Sequence, residues 1–245
     1  MVEAIFFDID GTLYDSDRNA STARLHAVEA MIEKGLLKHQ AGRSTPEQVY
    51  HSLCEIVKKY GSNYSRHFDK LVERFDRERR FSEGEIELIV SAGVVEYHKI
   101  AATLRPFPEL KSTLARLRER AVLGIISDGL TRKQFQKIVM LGVDDYFSPE
   151  LIFVSQGVAR RLGKAMSSVN KPSTVMFELA RKALGARRER LVYVGNSPGD
   201  VIGANDAGWI SVLYARDHSG EDSRFSGRAK PKVVIGSLSE LKEKF

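Results

Sequence analysis

The sequence predicts an α/β fold: a parallel sheet with helices on both faces, plus an inserted all-helical domain. Three observations lead there. Residues 2–9 (VEAIFFDI) form a short apolar, aromatic and β-branched run, which reads as a strand buried on both faces of a parallel sheet. From about Pro106 onward predicted strands and helices alternate, the pattern of βαβ units. Between the two, residues 21–101 repeat their apolar residues at helical spacing.

The first strand stops at Gly11-Thr12. Four helices follow, with stripes at Leu25, Val28, Met31 and Ile32; Val49, Leu53, Ile56 and Val57; Phe68, Leu71, Val72 and Phe75; and Ile86, Ile89, Val90, Val94 and Tyr97. Ser44-Thr45-Pro46-Glu47 and Ser82-Glu83-Gly84-Glu85 read as capping boxes, and Gly35 and Gly61 as helix stops. Downstream come a helix at 108–120, a strand at 121–127, a helix at 131–141 and a strand at 151–155. A helix at 173–185, a strand at 191–195, a short helix at 199–207 and a strand at 209–214 continue the alternation. A weak strand at 232–235 and a helix at 237–244 end it. Gln156–Asn170 and Ala215–Pro231, polar, basic and rich in glycine and serine, read as loops. The expected division is residues 1–15 and 103–245 as a Rossmann-like sheet domain and 16–102 as the insertion, emerging at the carboxyl side of the sheet, where open α/β sheets bind ligands.

Composition narrows the function classes. A chain of 245 residues buries a full core without staples. Its one cysteine, Cys54, excludes an intramolecular disulfide, fits a reducing cytoplasm and reads as a small core residue. No apolar run reaches the ~18 residues of a membrane span, and the first ten residues, with three carboxylates, do not read as a secretory leader. The 38 basic residues against 32 acidic ones give a net charge of +6. Without an aromatic-and-basic stripe, this favours general attraction for anionic small molecules over nucleic-acid binding.

Four clusters, each following a predicted strand or preceding a helix, could carry chemistry. In Asp8-Ile9-Asp10-Gly11-Thr12-Leu13, two carboxylates two residues apart at a strand end point the same way. Their repulsion is relieved by a cation or a proton, and hard oxygen ligands suit Mg²⁺. Ser127-Asp128-Gly129 offers a hydroxyl and loop N–H groups that could cradle an anion, although the same residues serve ordinary turns. In Asn170-Lys171-Pro172-Ser173, Lys171 could balance the carboxylates, with Lys164 a rival. In Gly195-Asn196-Ser197-Pro198-Gly199-Asp200, Asn196 and Asp200 are oxygen donors four apart, or parts of a helix cap.

This order of motifs resembles the haloacid dehalogenase-like hydrolases over almost the whole chain. DIDGTL matches the first family motif, Ser127 the second, Lys171 the third, and GNSPGD with Gly203-Ala204 the fourth, while the insertion resembles the helical cap. The resemblance implies that Asp8 is the nucleophile of a Mg²⁺-dependent phosphatase, forming an aspartyl-phosphate, and that Asp10 is the general acid and base. A carboxylate at Asp10 favours phosphoryl over halide chemistry. Thr12, Ser127, Lys171 and the Asp128 and Gly129 N–H groups would bind the substrate, and Asp8, the Asp10 carbonyl, Asn196 and Asp200 are the candidate metal ligands.

The implied partner is a small phosphorylated metabolite, for a cytoplasmic monomer or homodimer, and a phosphomutase shares all four motifs. Asn196 departs from the usual aspartate. Asp200 would then take over as ligand, Asn196 would ligate weakly, or the chain would keep binding without catalysis. Tyr14, Asp15, Arg18 and Arg105, in the linkers to the cap, are the expected specificity residues. Arg160, Arg161 and Lys164 read as a solvated basic surface in preference to a phosphate-attracting lip at the mouth of the site.

Overall fold

The computed structural model describes residues 2–40, 42, 44–62, 64–216 and 223–245. Its frame is a six-stranded parallel sheet in the order β3-β2-β1-β4-β5-β6, made of β1 (Ala4–Phe7), β2 (Val122–Ser127), β3 (Ile152–Val154), β4 (Leu191–Gly195), β5 (Ile210–Tyr214) and β6 (Val233–Ile235). The chain builds outward from β1 to β2 and β3, then crosses to the other side for β4 to β6. The crevice at the carboxyl ends of β1 and β4 is therefore the topological switch point, the ligand position of open α/β sheets.

Both faces of β1 are buried, as the uninterrupted apolar run requires. Ile5 and Phe7 face one core layer with Leu110, Leu114 and Leu117 of α5 (Leu110–Leu117) and Ile138 and Leu141 of α6 (Thr131–Leu141). Ala4 and Phe6 face the other, with Met176, Phe177 and Ala180 of α8 (Val175–Leu184) and Ala204 of α9 (Pro198–Asp206).

The chain divides into two compact units, Met1–Ser16 with Leu104–Phe245, and Asp17–Thr103. The second unit holds four helices: α1 (Ser16–Glu33, beginning one residue before the division), α2 (Pro46–Tyr60), α3 (His67–Phe75) and α4 (Glu83–Ala101). They close on their own core of Val28, Met31, Val49, Leu53, Ile56, Leu71, Val72 and Ile89. Leu25 is not in it; at 44% exposure it lies off the stripe. Cys54 is only half-buried. The α2 box is formed by Thr45 and Gln48 rather than Ser44 and Glu47, because Pro46 takes the first helical position and so sets Thr45 as the cap. The α4 box is formed by Ser82 and Glu85.

Residues read as a loop contain α7 (Ser155–Leu162), which Val158 and Ala159 anchor to the core and Gly163, in the left-handed region, terminates. Gly157 masks this helix in the sequence, and a close approach to Thr131 explains the glycine: an added Cβ would lie 3.0 Å from Thr131 Oγ1. Part of the loop expected at 215–231 lies outside the described residues; within it, short 3₁₀ turns occupy Ser223–Phe225 and Gly227–Ala229. The terminal helix is a 3₁₀ turn at Leu238–Glu240 followed by α10 (Leu241–Lys244). No described helix is long and apolar enough to cross a membrane.

Candidate active site

Asp8 directly follows β1, with the parity of Ala4 and Phe6, so alternation carries its side chain toward the α8 and α9 face. Its backbone N–H donates to Val194 O at 2.9 Å, tying it to β4. A cavity of about 280 Å³, near the lower end of the roughly 300–1,000 Å³ of small-molecule sites, opens there; Asp8, Asp10, Ser127, Asp128, Lys171, Asn196, Ser197 and Gly199 line it.

Lys171 is the hub. Its ammonium donates to Asp8 Oδ1 at 2.8 Å, Asp200 Oδ1 at 2.5 Å and Tyr193 Oη at 2.9 Å, with the side chain only 6% exposed. Its backbone N–H donates to Asp128 Oδ1 at 3.1 Å. Burial alone would push the ammonium down, but Asp200 and Asp8 raise it well above its ordinary value, so it stays charged. Lys164, the rival, is exposed beyond α7.

Asp200 is committed on both oxygens. Oδ1 takes Lys171, and Oδ2 accepts from the Ser197 hydroxyl at 2.7 Å and the Ser197 and Asn196 N–H groups at 2.9 and 3.1 Å. It is the third helical residue of the α9 capping box, with Ser197 as N-cap. Burial opposes its charge, yet Lys171 and Ser197 hold it below the usual carboxylate range. Asp8 goes the other way: burial, with Asp200 and Asp10 nearby, outweighs Lys171 and raises it to about 7.

Asn196 occupies the cavity wall against Gly11. A Cβ on Gly11 would lie 2.1 Å from the Asn196 amide nitrogen, and Gly11 has a φ of +76°, so only glycine fits. Thr12 is fully buried, its hydroxyl 3.5 Å from Asn196 Oδ1, beside the amide rather than lining the cavity. Ser127 and Asp128 reach the cavity, but the Gly129 N–H already donates to Ser155 Oγ at 2.9 Å.

Asp10 turns to α6. Lys137 Nζ lies 2.7 Å from each of its oxygens, Gln134 Nε2 donates to Oδ2 at 3.0 Å, and the Tyr14 hydroxyl donates to Oδ1 at 2.5 Å. Burial opposes the charge, but Lys137, Gln134 and Tyr14 together hold Asp10 below its ordinary value. Tyr14, expected as a specificity residue, is instead 4% exposed with its hydroxyl on Asp10. Arg18 and Arg105 are exposed, and Asp15 is half-buried. Arg160, Arg161 and Lys164 are exposed.

Gln134, Lys137 and Tyr193 join the site without having been expected there. Gln134 carries a legible signal, a polar residue on the stripe it shares with Ile138 and Leu141. Lys137 carries none.

The cavity lining and its ion-pair partners together gather four carboxylates, Asp8, Asp10, Asp128 and Asp200, against two ammonium groups, Lys137 and Lys171. Such an excess of negative charge repels a phosphate unless a cation offsets it. Among the described residues no group of three or more His, Cys, Asp or Glu side chains is arranged to hold a metal ion. A cation would need mixed oxygen donors, carboxylate, backbone carbonyl and amide, and that hard set fits Mg²⁺ with part of its water retained.

Comparison with known proteins finds relatives across the length of the chain. A model of the family "haloacid dehalogenase-like hydrolase" matches residues 2–208. A glyceraldehyde 3-phosphate phosphatase of Methanothermobacter thermautotrophicus is 35% identical over 99% of both chains. A phosphoglycolate phosphatase of Neisseria meningitidis is 30% identical over 99% of this chain and 93% of its own length. Among solved structures, a 2-haloacid dehalogenase of Pseudomonas syringae superposes with a TM-score of 0.59 at 23% identity, over 99% of this chain and 97% of that one, which is a likeness of fold.

Proposed function

The chain belongs to the haloacid dehalogenase-like hydrolases and is a phosphatase of that family, and from that premise we propose that it hydrolyses a small phosphorylated metabolite through an aspartyl-phosphate on Asp8. The observation that carries this reading is the buried Asp8–Lys171–Asp200 cluster at the sheet's switch point. Lys171 fixes Asp8 Oδ1, leaving Oδ2 to attack phosphorus. Ser127 and Lys171 steady the phosphoryl oxygens; Asp10, charged in the free site, takes up a proton as substrate binds, gives it to the leaving alkoxide as the ester P–O bond breaks, and then takes a proton from the hydrolytic water.

Asp8, the Asp10 carbonyl and Asn196 would hold Mg²⁺, which when bound supplies electrostatic stabilisation of the phosphoryl charge. Asp200, with both oxygens committed, serves instead as the counter-ion of Lys171. The relatives named for glyceraldehyde 3-phosphate and phosphoglycolate make two- and three-carbon phosphates the first substrates to try. The half-buried thiol of Cys54 fits a reducing, cytoplasmic setting.

The test is phosphate release with Mg²⁺ from glyceraldehyde 3-phosphate, phosphoglycolate and 4-nitrophenyl phosphate. The expected result is turnover of at least one alkyl phosphate, lowered by about 10³-fold or more in Asp8→Asn. Turnover that survives Asp8→Asn would overturn the reading.

A further inference from the structure

Gln134 and Lys137 lie one turn apart on α6 and converge on one carboxylate. We infer that they are positioning residues for Asp10, holding the carboxylate in the orientation from which it serves the leaving group. The inference rests on the reading of Asp10 as general acid given above.

Three features separate this arrangement from an ordinary ion pair. Both Asp10 oxygens are engaged from two directions: Lys137 bridges them at 2.7 Å each, Gln134 takes Oδ2, and Tyr14 takes Oδ1. A carboxylate held through both oxygens is fixed in rotation as well as in place, which a single contact does not achieve.

Gln134 is also a poor choice for stability alone. It is 3% exposed on a face otherwise filled by Ile138 and Leu141, and its carbonyl oxygen is buried without a hydrogen-bond partner. An orphaned buried acceptor costs free energy that a leucine or methionine would avoid. Sequences keep such local conflicts chiefly at functional sites.

Finally, the Gln134 amide joins three groups of one cavity. Besides Asp10 Oδ2 at 3.0 Å, it donates toward Ser127 Oγ at 3.2 Å and Asp128 O at 2.5 Å, and all three residues line the cavity. The acid and the phosphoryl cradle are thereby held to a common reference on α6. Proton delivery to a leaving oxygen depends on that registration, because the acid must lie within hydrogen-bond reach of the oxygen while the phosphorus faces Asp8.

The experiment compares kcat for 4-nitrophenyl phosphate, whose leaving group needs no proton, with kcat for the alkyl phosphate the parent enzyme turns over fastest. Asp10→Asn, Gln134→Met, Lys137→Met and Lys137→Arg are measured side by side. The aryl-to-alkyl ratio comes from one preparation of each variant, so a partly unfolded sample does not alter it. The expected result is a ratio raised about tenfold or more in Asp10→Asn, Gln134→Met and Lys137→Met, with partial return in Lys137→Arg. If Asp10→Asn raises the ratio and both methionine variants lower the two substrates equally, the inference is overturned and the reading of Asp10 stands. If Asp10→Asn leaves the ratio unchanged, the assignment of Asp10 as acid fails and the inference falls with it.

Discussion

Asp8 sits 2.8 Å from the Lys171 ammonium, which also pairs with Asp200, and burial raises its carboxyl to about 7. A raised carboxylate stabilises the fold while protonated, and that contribution is lost as pH rises through the folded value. Asparagine mimics the protonated form at every pH. Without metal, Asp8→Asn is therefore expected to match the parent near pH 4 and to be the more stable of the two at pH 8, the difference growing between those limits. Urea unfolding in chelator at several pH values checks this; a variant equally or less stable at pH 8 contradicts it. At this scale the sequence is most legible where position restricts meaning. Asp8 and Asp10 stand at a strand end, whereas choosing Lys171 over Lys164 needs the family resemblance. Lys137 is illegible because a lysine on an amphipathic helix is usually solvated, and only the turn of the chain after Phe7 brings Asp10 to it.

Elements carry the site through their ends. The Ser197–Asp200 box caps α9 and presents Asp200 to Lys171, so one hydrogen-bond pattern serves both helix and site. Ser197→Ala is expected to cost about 1 kcal/mol of stability and to lower turnover several-fold as Asp200 loses its orientation. Ser82→Ala, at the corresponding box of α4, is expected to cost about as much with turnover within twofold of the parent. Urea unfolding and steady-state rates on both variants separate the two effects; equal turnover in both would show that the α9 cap does not tune the site. Strong periodicity and capping boxes make the four helices of the insertion readable. The eight-residue α7 is not, because two arginines and a glycine outweigh its short stripe of Val158, Ala159 and Leu162.

The whole molecule gathers the site by topology rather than by sequence proximity. Asp8 and Lys171 are 163 residues apart, yet β1 is a central strand and the chain crosses beside it to β4, which places both at one crevice. The alternation of strands and helices makes the parallel sheet readable. The pairing of distant side chains within it is not, since that depends on which neighbour each strand end meets. Charge follows the same division. The chain carries +6 overall, while the cavity gathers more carboxylates than ammonium groups, so the basic surplus lies on the surface and the site itself calls for a cation. The central claim, that Asp8 is the nucleophile, is tested most directly by acid-quenching the enzyme during turnover with Mg²⁺ and an alkyl phosphate and mapping the peptide that contains residue 8 by mass spectrometry. The account predicts the added mass of one phosphoryl group on Asp8, absent without substrate; a turning-over enzyme whose Asp8 stays unmodified, with the phosphoryl on another residue, would contradict it.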